Sequence, residues 1–342
     1  MRPGRRVGLA AAFVFVAMAT MGQSVAVTPR GVAVAHDGVL ALYDARTLQP
    51  LSKTDGVAYA GEIVASSTCD PRPATCDLAV LDPLHNKARV NGATIATHET
   101  PIAGAFVDHQ LFILERDSRT LSRGADSVRT GAYPQFLRAA NKKLYVYSAV
   151  GGLLQEITAS PFAVARELRI APFASDLEVD DTTAYLTYPD IGAIHVIDLE
   201  KMEDLGSVKV GSRPMDLTLA GGNNAITGRL LAIADPLAQR VWSMEGHQST
   251  AAAFGRGALR GLLGLGGRFG KKNPELATGP DRVVARDSRW VAYDSFTGTL
   301  YDIPHGSVNV LARGVGPRAY ALGDGVVYLW QNGTLVAQKL DR

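Results

Sequence analysis

The sequence predicts an all-β chain built from a repeat of about 40 residues, on three observations. Apolar residues alternate at period two over short runs rich in Val, Ile, Leu, Thr and Tyr, which is the spacing of strands and not of helices. Prolines open these strand groups at Pro101, Pro134, Pro172, Pro214, Pro280 and Pro317, with intervals of 33, 38, 42, 66 and 37 residues. Each group then reads as three or four strands separated by polar turns. Sheets of four strands at this period are the blades of a β-propeller, in which radial repetition leaves only short, protected edges.

At the N-terminus, Arg2, Arg5 and Arg6 precede an uncharged apolar run, Val7 to Met21, and Ser24-Val25-Ala26 is a small-x-small cleavage site. The run is shorter than the roughly 20 residues that cross a bilayer. We therefore read 1–26 as a signal peptide and 27–342 as a single β-propeller domain, periplasmic or secreted after cleavage near Ala26. Retention of the leader as an anchor is the alternative. Arg5-Arg6 is compatible with twin-arginine export, but the residues that follow fit that signal poorly, so the general secretory route is favoured. The chain carries a net charge of +2, and without the three leader arginines it is close to neutral. No basic excess remains that would mark a nucleic-acid partner.

Cys69 and Cys76 flank Asp-Pro-Arg-Pro-Ala-Thr. In an oxidising compartment they are expected to pair as a disulfide, which stabilises by roughly 2–3 kcal/mol because the loop is small. Two cysteines without nearby histidines are too few for zinc.

The clearest repeat follows Pro172: Ser175 to Val179 alternates, Ala184 to Tyr188 is a second strand, Ala193 to Asp198 a third, and Leu205 to Val210 a fourth. Similar groups follow Pro134, Pro214, Pro280 and Pro317. The one long interval contains a Gly/Arg/Leu-rich insert at 251–273 with no strand pattern. Without leader and insert, about 290 residues remain, which is seven four-stranded blades of about 41 residues, with six or eight as the alternatives. Only 25 residues follow Pro317, enough for three strands. A strand near Val25 to Val34 is expected to complete that last blade and close the ring through its N- and C-terminal strands.

Three stretches resemble the YVTN/NHL group of propeller repeats. Ile191 to Asp198 and Val208-Lys209-Val210-Gly211-Ser212-Arg213-Pro214 are similar to the surface-layer-type repeat with its V-G-x-x-P join between blades. Leu230 to Val241 is similar to the NHL strand-Asp-x-x-x-x-Arg-Val pattern. The resemblance covers Pro101 to Arg342 well and implies architecture, not activity. A more distant resemblance to SMP-30/gluconolactonase-like propellers implies a divalent cation, such as Ca2+, in the channel. Glu62, Asn141, Asn223 and Asp235 are its candidate ligands here, although the family's motifs do not match position by position.

Asp117, Asp190, Asp235 and Asp294 recur near the ends of second strands. They could ring the channel with carboxylates for a cation, but recurrence in blade after blade favours a turn-capping role. Asp44, Asp82, Asp198 and Asp302 read the same way. Among seven histidines, none has metal-ligand spacing. His195 reads as a packed strand residue, and His36 and His109 sit beside Asp37 and Asp108 as conceivable His-Asp pairs. Asn332-Gly333-Thr334 matches a sequon and reads as a turn.

The insert is apolar, basic and rich in glycine, with five positive charges and no acid over 254–272. Arg256, Arg260, Leu262, Leu263, Arg268, Phe269, Lys271 and Lys272 are candidates for docking on a partner protein or an anionic membrane surface. Three functional readings follow. The first is an exported binding or scaffold module for a protein or small ligand. The second is a cation-dependent hydrolase or lactonase. The third is the propeller subunit of a periplasmic redox complex, although C-x-x-C-H is absent.

Overall fold

The computed structural model describes residues 23–56, 60–71, 74–220, 230–245, 276–286, 289–303 and 308–340. These residues form eight antiparallel sheets that follow one another along the chain, at 24–55, 62–96, 101–129, 132–169, 176–209, 216–245, 282–312 and 320–339. We number them blades 1 to 8. Blades 6 and 8 show three strands among the described residues and the others four. Within each blade, strand order in space follows strand order in sequence. Tight hairpins are the reason, since turns such as Asn91-Gly92 and Asn332-Gly333 supply the positive φ that short connections demand.

The first strand of each blade lies innermost: Ser24–Thr28, Glu62–Pro71, Pro101–Val107, Ala132–Ala140, Asp176–Val179, Asp216–Ala220, Arg282–Arg286 and Tyr320–Gly323. Each contacts the innermost strand of the next blade, and the eighth contacts the first, so the ring is closed. All eight run in the same direction. We call the face on which they begin proximal and the other distal. Turns between second and third strands, and the links between blades, lie on the proximal face.

Two expectations are corrected. The ring has eight blades, not seven, because successive blades begin 38, 39, 31, 44, 40, 66 and 38 residues apart. Most are thus shorter than the assumed 41, and two whole blades precede the first diagnostic proline interval. Nor do the two ends share a sheet. Ser24–Thr28 pairs with Gly31–His36 inside blade 1. Closure comes from packing instead. Val25 N–H donates to the Arg318 carbonyl (2.8 Å), Tyr328 Oη donates to the Ala45 carbonyl (3.0 Å), and His36 stacks on Trp330 with ring centroids 4.1 Å apart. Val25, Val32 and Val34 share one apolar cluster with Tyr293, Tyr320, Tyr328 and Trp330. Ser24-Val25-Ala26 forms the first half of an innermost strand, opposite Ala33–Ala35.

The remaining core lies between blades, where apolar faces of adjacent sheets meet. Between blades 4 and 5, Tyr145, Tyr147, Leu154, Leu177, Leu186 and Ile197 are buried together. Buried phenols need partners, and here they tether inter-blade links: Tyr147 and Tyr188 both donate to the Ala171 carbonyl, and Tyr293 to that of Val315.

Five of the recurrent aspartates, Asp44, Asp82, Asp198, Asp235 and Asp294, cap turns. Asp44 accepts from the N–H groups of Arg46 and Thr47, Asp294 from those of Phe296 and Thr297, and Asp198 from that of Lys201. Asp235 is fully buried and accepts from the N–H groups of Ser212 (2.6 Å), Arg213 (3.1 Å) and Ala238 (3.0 Å) and from Trp242 Nε1 (3.2 Å). This arrangement gives the V-G-x-x-P join its physical meaning. A Cβ on Gly211 would stand 2.1 Å from Asp235 Oδ2, so only glycine lets the join close around the carboxylate. In blade 3 the capping carboxylate is Glu115 and not Asp117. Glu115 is fully buried and accepts from His98 N–H and from Thr120 Oγ1.

Candidate functional site: the proximal mouth of the channel

The innermost strand of each blade runs along the central channel, with its sheet faces turned toward the neighbouring blades. Several of the side chains that bridge these strands carry charge. Arg138 of blade 4 lies 3.2 Å from Asp176 and 3.5 Å from Glu178, both of blade 5. Asp176 also accepts Leu217 N–H, and Asp216 accepts Val283 N–H (2.7 Å), so each carboxylate reaches from one blade to the backbone of the next. Arg282 donates to the Pro317 carbonyl (3.0 Å), continuing the same stitching.

Enclosure shifts these groups strongly. Burial pushes Glu62 up to about 7 against the opposing pull of Arg318 and Arg138. Glu178 is likewise raised to about 7, mainly by burial, with Arg138 opposing and Asp176 adding to the rise. Asp216 is raised well above the ordinary carboxylate range by burial and by the Asp176 carboxyl, to which it is hydrogen-bonded.

At the proximal mouth the channel opens into a cavity of about 320 Å³ lined by Gly61, Glu62, Pro83, Pro101, Ile102, Arg116, Tyr133, Pro134, Gln135 and Arg318. The sequence builds this cavity from the openings of three innermost strands. Pro101 and Pro134 fix φ where an N–H is not needed. A register shift between Pro134 and Phe136 leaves Tyr133 at φ +57°, uncommon for a residue with a side chain. Tyr133 is half-exposed, and the Arg116 guanidinium lies over its ring at 5.5 Å from the centroid. Gly61 permits the close approach of blade 2's opening to Pro83, because a Cβ there would stand 2.6 Å from Pro83 Cδ.

The candidate cation ligands do not come together. Glu62 is at the proximal mouth. Asn141 sits in the turn that ends the innermost strand of blade 4, on the distal face, where it donates to the Asp181 carbonyl (2.8 Å). Both Asp235 oxygens are occupied by the blade 5–6 join. Asn223 lies outside the described residues. Among the described residues no group of three or more His, Cys, Asp or Glu side chains is arranged to hold a metal. The histidines pair singly with acids: His195 Nδ1 with Asp204 (2.9 Å), His36 with Asp37 (3.3 Å), and His109 with Asp77 (2.7 Å) in place of the adjacent Asp108. Cys69 and Cys76 are directly opposite one another in the first hairpin of blade 2, and their side chains lie outside the described residues. The docking candidates of the insert, Arg256, Arg260, Leu262, Leu263, Arg268, Phe269, Lys271 and Lys272, also lie outside them. No helix among the described residues is long and apolar enough to cross a membrane.

Sequence reasoning found Glu62 but missed Arg116, Tyr133, Gln135 and Arg318, and the charges deeper in the channel. A signal existed, because Arg138, Asp176 and Glu178 place charge on alternating strands. A strand with one face in bulk water looks the same.

No known family matches the chain, and no curated protein does. Solved structures do. The chain is similar to the computationally designed Ika8 protein (TM-score 0.65, 13% identity, 93% of this chain and 97% of that one). It is also similar to BamB from Moraxella catarrhalis (0.58, 12%, 93% of each chain) and to Kuenenia stuttgartiensis hydrazine synthase (0.58, 12%, 86% and 96%). At these identities the likeness shows the β-propeller fold and nothing finer.

Proposed function

We propose that the protein is an exported binding module whose proximal face docks a partner protein. The observation that carries this reading is where exposed apolar side chains fall. Among the described residues, eleven large apolar side chains are exposed, and seven belong to the proximal face: Leu84, Tyr133, Val150, Phe173, Ile191, Leu237 and Phe296. The other four, Leu51, Ile95, Val310 and Val336, are on outer strands. Four of the seven are exposed to a degree that no packing role explains: Phe296 at 94%, Leu237 at 70%, Leu84 at 68% and Phe173 at 63%. Distal turns carry Asp108, His109, Asn141, Lys142 and Asp181 instead. Apolar side chains collected on one face mark an interaction surface. Exposed Arg119, Arg129, Arg169, Lys209, Arg213 and Arg313 share the face with exposed Asp37, Asp55, Glu99, Asp117 and Asp190, so charges of both signs rim the apolar residues.

Export and the Cys69–Cys76 disulfide belong to the same reading. Directly opposed residues in an antiparallel pair have Cα atoms roughly 4.5–5.5 Å apart, within the range a disulfide spans. The repeat type remains the YVTN/NHL kind that the blade joins resemble.

Photo-crosslinking groups placed at Leu237 and Phe296, and at Asn141 and Asp324 on the distal face, test the docking surface in the cell that makes the protein. The expected result is a discrete cross-linked partner from the proximal positions alone, lost when Leu84 and Phe173 are both replaced by Glu. Equal cross-linking from the two faces refutes the assignment.

A further inference from the structure

We propose that the proximal mouth is a binding site for a carboxylate, held by Arg116 and Arg318 and accepting a hydrogen bond from the Glu62 carboxyl. This inference does not depend on the partner-docking reading, because the cavity can be filled whether or not the apolar residues around it are covered. The cavity is about 320 Å³, at the small end of the roughly 300–1,000 Å³ typical of ligand pockets. It takes a small dicarboxylate or the last residue of a peptide. Its walls are set before any ligand arrives, since Pro83, Pro101 and Pro134 cannot swing and Gly61 is wedged against Pro83. Tyr133 is held in a left-handed conformation at the rim, and strain of this kind gathers at binding sites.

Charge selects the ligand. Two guanidinium groups line the cavity, and their planar forks match a carboxylate. Asp117, 3.5 Å from Arg116, offsets part of one charge. Glu62 is the one carboxyl in the lining, and the charged groups acting on it are Arg318, from the link into blade 8, and Arg138, from blade 4. Burial outweighs both and raises Glu62 to about 7, so it can carry a proton and donate it into a hydrogen bond with the ligand. A bound carboxylate raises Glu62 further, so binding takes up a proton and weakens as pH rises.

Titration calorimetry with succinate, malate, a short peptide ending in glutamate, the same peptide as its C-terminal amide, and inorganic phosphate tests this at about pH 6 and about pH 8. Saturable carboxylate binding is expected, about tenfold weaker at the higher pH if only the protonated site binds. Glu62→Gln keeps a donor and should bind with that pH dependence gone. Arg116→Gln, a change at an accessible turn, should weaken binding at least about tenfold while the melting curve stays as in the parent. Arg318→Gln should weaken binding likewise. Tighter binding of the peptide than of the small acids assigns the carboxylate to a partner chain, and the reverse order to a free metabolite; both outcomes support the site. The proposal is overturned if no carboxylate saturates the protein by about 10 mM. It is equally overturned if phosphate or the amide binds as well as the acids, or if Arg116→Gln leaves binding unchanged in folded protein.

Discussion

Replacing Glu62 by Gln should stabilise the protein above neutral pH and leave it unchanged in mild acid. Glu62 has its ordinary value near 4.5 when unfolded and about 7 in the channel. A carboxyl whose folded value is raised adds nothing unfavourable below the unfolded value, where both states are protonated. Its cost grows as pH rises from there and is complete once pH passes the folded value. A rise of this size corresponds to about 3 kcal/mol at 1.36 kcal/mol per pKa unit. The channel admits some solvent and Arg318 and Arg138 remain nearby, so about 1–3 kcal/mol is the expected range. For a domain of this size each kcal/mol moves the melting temperature by roughly 2 °C. Thermal unfolding of parent and Glu62→Gln should therefore give melting points about 2–6 °C apart near pH 8, with the variant higher, and coincident melting points near pH 4. A difference of the same size at both pH values, or a less stable variant at the alkaline one, refutes burial as the dominant influence on Glu62.

Other expectations follow from the same geometry. Asp235→Ala removes the acceptor of four part-buried donors and should cost about 1–3 kcal/mol in chemical denaturation; Gly211→Ala should damage the same join, and the two losses should not add in a double mutant. If Cys69 and Cys76 are bridged, intact mass under non-reducing conditions will be lower by two hydrogens, and Cys69→Ser with Cys76→Ser will lower stability by about 2–3 kcal/mol. Leu237→Ser and Phe296→Ser should change stability by less than about 0.5 kcal/mol; larger losses in thermal unfolding would mean that these side chains serve the fold. The N-terminus of exported protein, read by Edman sequencing, should lie at or before Ser24. A cut after Ala26 would remove Ser24, Val25 and Ala26 from an innermost strand and with them the bond from Val25 to Arg318, whereas Ala17-Met18-Ala19 offers a small-x-small site upstream.

Local regularities carried the fold. Period-two alternation and hairpin turns determined strands of blades 4 to 8, and the diagnostic prolines lie within four residues of the start of six of the eight innermost strands. Recurrence also identified the aspartates as turn caps, because a residue repeated in blade after blade serves what the blades share. Blades 1 and 2 lack an opening proline, and blade length is elastic, so arithmetic on an average period arrived at seven and the closure was misjudged. How many twisted sheets complete a circle depends on the angle between neighbours, which packing between blades sets and no single repeat encodes. The mouth of the channel was hidden for a related reason. Arg116 and Tyr133 belong to blades 3 and 4 while Arg318 leads into blade 8, and only ring closure sets them around Glu62. The sequence by itself determined which residues form strands and which turn. Tertiary structure alone decided which strands line the channel, and a carboxyl or guanidinium enclosed there behaves differently from the same group on an open sheet.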